Sequence, residues 1–107
     1  MSIKAGVQLH SLKPQMVLAY VIVDRIFHDV CNSYAHITSG EDSLNEHMEG
    51  SLHGQGYALD FRVHHVHESW RERLLIHIRR ELGSDFDVVH EYIGEPREHF
   101  HVEYDPQ

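Results

Sequence analysis

The chain has 107 residues, a formal net charge of -8 and 12 histidines. A chain of this length folds as one domain, expected to run over residues 1–107, and buries a real core without much surplus. The negative balance speaks against nucleic acid and against anionic membrane surfaces as partners.

The single cysteine, Cys31, has no internal partner and is expected to pack as a small buried hydrophobe. No basic segment followed by an apolar run and a small-residue cleavage site opens the sequence, so synthesis in the cytoplasm without a signal peptide is expected. The longest apolar run, Met16 to Val23, is too short to span a bilayer.

Met1 to Leu12 has no clear period and reads as an irregular lead-in. Pro14 stands where a first helical residue would. Met16, Ala19, Val23, Ile26, Phe27 and Val30 follow at helical spacing, widened by Leu18, Val21 and Ile22. The spacing predicts a helix from Pro14 to about Val30, buried on more than one side. His28 is expected at its surface or boundary.

Ser33 to Ser39 alternates as a short strand, and Gly40 to Gly50 is polar and loop-like, with His47 in it. Tyr57 to Val63 alternates more clearly. Tyr57, Leu59, Phe61 and Val63 are expected to face the core, which turns Ala58, Asp60 and Arg62 to the polar face. His64, His65 and His67 read as a solvated connection. Glu68 to Leu82 follows as a helix with the stripe Trp70, Leu74, Leu75, Ile78 and Leu82, its arginines on wetter sides and Gly83 as its stop. Phe86 to Ile93 and His99 to Tyr104 read as two strands joined by Gly94-Glu95-Pro96-Arg97. In the second, Phe100, Val102 and Tyr104 face the core, and His99, His101 and Glu103 face away. These elements predict an α+β fold: a small antiparallel sheet with helices on one face and a polar site on the other.

Alternation thus turns Asp60, His99 and His101 to one polar face, and Gly54 and Gly56 let the chain turn tightly between His53 and Asp60. His53, Asp60 and His101 supply two imidazoles and one carboxylate, the ligand set of a catalytic zinc with its fourth position open to water. The same set holds iron(II) in oxygenases, but those usually place the first histidine and the acid one residue apart, and this chain is too short for their barrel. Glu98, three residues before the last ligand, is the expected general base, placed at the turn before regular strand geometry begins. His99 is the expected hydrogen-bond donor to a developing oxyanion.

The pattern Ser51-x-His53-x-x-Gly56-x-Ala58-x-Asp60, answered by Glu98-His99-x-His101, resembles the zinc D-Ala-D-Ala carboxypeptidase and L-alanyl-D-glutamate endopeptidase family. That family belongs to a superfamily shared with lysostaphin-type enzymes and the hedgehog signalling domain. The resemblance covers roughly Ile37 to Tyr104. It implies one Zn²⁺ per chain, hydrolysis of the peptidoglycan stem peptide and a substrate contact at Ser51; a monomer is expected. A small form without a leader would suit a phage lysis enzyme or a wall-recycling enzyme, acting on the wall after release or export. Members often carry an arginine after the Ser-Gly turn, which grips a substrate carboxylate. Here Glu41-Asp42-Ser43-Leu44-Asn45 follows Ser39-Gly40, and Arg62 is the candidate substitute. The rival from another class is a hedgehog-like, zinc-stabilised binding module without catalysis.

Overall fold

The structure is a computed structural model and describes residues 1–9, 12–40 and 56–106. The elements are β1 (Ser2–Ile3), α1 (Pro14–Cys31), β2 (His36–Ser39), β3 (Ala58–Arg62), α2 (Glu68–Leu82), β4 (Phe86–Glu91) and β5 (His99–Tyr104). Five strands form one sheet in the order β1-β2-β3-β5-β4.

The α+β architecture stands, with one correction: the sheet is mixed. The lead-in contains β1, which pairs in parallel with β2 through Ser2↔His36 and Ile3↔Ile37. Two residues are too few to show an alternation. The other pairings, β2–β3, β3–β5 and β4–β5, are antiparallel. After β1 the segment passes close over Gly40, where an added Cβ would fall 2.8 Å from the Gln8 carbonyl oxygen. No side chain fits there.

α1 begins with Pro14 in its first turn, and Asn32, left-handed at φ 53°, ends it by donating its N–H to the His28 carbonyl. Met16, Ala19, Val23, Ile26 and Phe27 are its buried stripe. The expected wider burial is corrected: Leu18 and Val21 are 61% and 51% exposed. One stripe meets the sheet and α2, and nothing among the described residues covers the opposite side. His28 is exposed, as expected. Cys31 is half-buried, its Sγ–H donating to the Phe27 carbonyl at 3.3 Å, and desolvation raises its pKa.

α2 starts at His67, whose Nδ1 accepts the Ser69 N–H at 3.1 Å. His64, His65 and His67 are exposed, as a solvated connection should be, although His65 stacks on Tyr34 at 4.5 Å. The arginines are exposed as expected except half-buried Arg71, and two of them also hydrogen-bond back to the fold. Arg79 donates twice to the Val88 carbonyl, at 3.0 and 2.7 Å, and Arg71 reaches Val66 and Glu98.

Both helices and one face of the sheet build the core, with Leu59, Phe61, Val63, Phe100 and Val102 fully buried. Phe27 of α1 meets Phe100 of β5 edge-on at 6.3 Å. Because strand neighbours alternate, the residues between these core positions are forced onto the sheet's other face. No helix among the described residues is long and apolar enough to cross a membrane.

Candidate metal centre on the open face of the sheet

The register of the three strands β3, β5 and β4 sets out the open face in rows. Asp60 pairs with His101, and His101 with Val89. On one side lies the row Arg62, His99, Glu91; on the other lies Ala58, Glu103, Asp87. Ala58 and Asp60 are buried, while Arg62 is exposed. The small Ala58 side chain leaves the Asp60 carboxylate and the His101 ring room to meet.

They do meet. His101 Nδ1 lies 2.8 Å from Asp60 Oδ1, and its Nε2 lies 2.8 Å from Glu103 Oε1. Each ring nitrogen therefore faces a carboxylate. Burial alone would push the His101 pKa down, but the hydrogen bonds and charges of Asp60 and Glu103 outweigh it and raise it to about 9. His99 stands beside this pair. Its Nδ1 donates to the Arg97 carbonyl at 2.8 Å, and its Nε2 is 3.1 Å from Glu91 Oε1 and 3.6 Å from Asp60 Oδ1. Asp60, Glu91 and His101 offer ligand atoms that all lie within 4.8 Å of one another.

The donor set fits a metal ion. An imidazole and a carboxylate converge at first-contact distance, and a second carboxylate, Glu103, holds the far nitrogen of the imidazole. That outer carboxylate fixes a ligating histidine's ring orientation and strengthens it as a donor. His101 and Asp60 would hold the ion among the described residues. His53 and Ser51 lie outside those residues, as do His47, Gly54, Gly50 and the acids Glu41, Asp42, Glu46 and Glu49.

Asp60, Glu91, His99, His101 and Glu103 all line a cleft of about 770 Å³, which Lys4, Ser39, Arg62, Arg97 and Glu98 also border. This size is in the range of ligand sites. Its charge is mixed: the carboxylates of Asp60 and Glu103 hold His101, Lys4 and Arg62 make a positive side, and Arg97 adds positive charge from the turn between β4 and β5. The positive side reaches His36, whose pKa is lowered first by burial and then by Arg62, His65 and Lys4.

Glu98 is placed differently from Asp60 and His101. Its carboxylate is buried, with Oε1 accepting from Arg71 Nη1 and the Gly94 N–H, both at 3.0 Å, and Oε2 lying 2.6 Å from His90 Nε2. Burial pushes its pKa up, but the Gly94 N–H, His90 and Arg71 prevail and hold it below the ordinary value. Arg71 belongs to α2, so the carboxylate reaches towards the helix layer. Glu98 shares its parity with Phe100 and Val102, and that parity is visible in the sequence.

Sequence reasoning missed Glu91 and Glu103. Glu103 carried a usable signal, two residues after His101 on the same strand face. Glu91 carried none, because its place opposite His99 depends on the register across the intervening turn. Comparison with protein-family models, with curated proteins and with solved structures gave no match to this chain.

Proposed function

We propose that this chain is a zinc-dependent peptidase acting on the peptidoglycan stem peptide, with the ion held by His53, Asp60 and His101. One observation carries the metal centre: Asp60 and His101 stand in register at 2.8 Å, with Glu103 behind the imidazole. The substrate class rests on the sequence resemblance.

When bound, zinc would supply Lewis acidity, polarising a peptide carbonyl and lowering the pKa of water towards about 7. The chain's own residues supply the rest. His99, its Nδ1–H donating to the Arg97 carbonyl, presents Nε2 to the cleft, where only the doubly protonated ring would donate to the oxyanion that develops on the scissile carbonyl. A carboxylate must accept a proton from water, and the sequence pattern gives that task to Glu98. Arg62, exposed on the cleft wall in the row of His99, is placed to meet a substrate carboxylate, and Lys4 lines the same cleft. Ser51 is assigned a substrate contact by the resemblance alone.

The test is digestion of purified peptidoglycan by zinc-reconstituted and chelator-stripped protein, with new termini identified by mass spectrometry. New stem-peptide termini with the reconstituted protein only are expected. Stoichiometric zinc without any cleavage would favour the zinc-stabilised binding module instead.

A further inference from the structure

Two carboxylates compete for the proton-accepting role, and their surroundings differ. The Glu98 side chain is 2% exposed and closed in by Arg71, His90 and the Gly94 N–H. A carboxylate with three charge-assisted or backbone donors is stabilised as an anion and has little basicity left to offer. Both acids border the cleft, but the Glu91 side chain is 39% exposed in it. Its Oε1 lies 3.1 Å from His99 Nε2 and 3.9 Å from His101 Nδ1.

We propose that Glu91, rather than Glu98, is the general base of this site, and that Glu98 positions it; the inference rests on the peptidase reading above. The turn between β4 and β5 is built to hold Glu91 in place. Tyr92, the next residue, is left-handed at φ 54°, an uncommon conformation for a side chain of its size. The Arg97 guanidinium lies 3.6 Å above the Tyr92 ring centroid. Glu98 ties the same turn to α2 through the Gly94 N–H and Arg71. Loss of Glu98 would therefore reach the chemistry through the position of Glu91.

The balanced step is hydrolysis. As the water oxygen bonds to the peptide carbonyl carbon, one water proton passes to the Glu91 carboxylate. The same proton goes to the amide nitrogen as the C–N bond breaks, leaving a new carboxyl group and a new amine. Glu91 returns to its starting state.

The experiment uses the full chain labelled with side-chain ¹³C-glutamate, its carboxyl lines assigned with Glu91→Gln and Glu98→Gln. On addition of Zn²⁺ to the metal-free protein, the Glu91 line should shift and the Glu98 line should stay. In the reconstituted proteins, Glu91→Gln should keep its zinc and its melting temperature while turnover falls roughly 10²–10⁴-fold. Glu98→Gln should melt earlier and lose less turnover. A moving Glu98 line beside a still Glu91 line would overturn the proposal. So would full turnover in Glu91→Gln, or loss of its zinc, which would make Glu91 a ligand. A zinc-loaded wild type that cuts no peptide defeats the peptidase reading itself; which acid faces the ion is then still decided by the carboxyl lines.

Discussion

Replacing Glu98 by Gln tests whether its carboxylate is a structural anchor. The change keeps the size and one carbonyl oxygen, so Arg71 and the Gly94 N–H retain an acceptor. It removes the negative charge between Arg71 and His90, whose side chains are only 16% and 12% exposed. Water screens little at such a site, and hydrogen bonds to charged groups are worth about 1.5–3 kcal/mol each. Losing the charge-assisted part of this network should cost about 2 kcal/mol. At roughly 4–8 °C per kcal/mol for a domain near this size, the melting temperature should fall by roughly 8–16 °C. The pH dependence has a definite sign. The Glu98 pKa is lowered on folding from 4.5, so its stabilisation is complete above that value and lost as pH falls through the lower folded one. The acid limb of wild-type stability should be flatter in Glu98→Gln. Thermal unfolding followed by circular dichroism at several pH values measures both. An unchanged melting temperature and an unchanged acid limb would refute the anchor.

His101 titrates in the opposite sense. In the metal-free chain its pKa is raised from 6.5 to about 9, so its contribution to stability is full below pH 6.5 and lost as pH rises through about 9. Zinc binding at neutral pH should then release a proton and tighten as pH rises towards 9, which calorimetry in buffers of different ionisation enthalpy detects; binding without proton release would contradict the ligand assignment. Arg62→Ala should leave cleavage of an internal stem-peptide bond largely intact, because the chain is expected to prefer that bond to a terminal D-alanine. A strong preference for free D-Ala-D-Ala over its C-terminal amide, abolished in Arg62→Ala, would reverse the choice of bond and make Arg62 the carboxylate clamp.

The parts of the fold that alternate are legible in the amino-acid pattern alone. Leu59 and Phe61 on β3, Val63 just after it, and Phe100 and Val102 on β5 are buried as their spacing requires. The same alternation puts Asp60 and His101 on one face, and the register then makes them partners. α2 runs from Glu68 to Leu82, the bounds its stripe and Gly83 indicate. What escapes the pattern depends on distance along the chain. β1 is too short to show a period, and its parallel partner lies beyond a whole helix. Glu91 faces His99 only because the turn between β4 and β5 closes in one register. Leu18 and Val21 fit a helical stripe by spacing, yet a helix packed on one layer buries only one side. Glu98 sits at the turn just before β5, as expected, but its carboxylate reaches Arg71 of α2.

The central claim is a zinc site at the meeting of Asp60 and His101. Metal analysis of the purified wild type, beside Asp60→Ala, His101→Ala and His53→Ala, tests it most directly. About one equivalent of zinc is expected in the wild type, as for a site with three protein ligands, and a large loss in each variant. Full zinc retention in the Asp60 and His101 variants would contradict it.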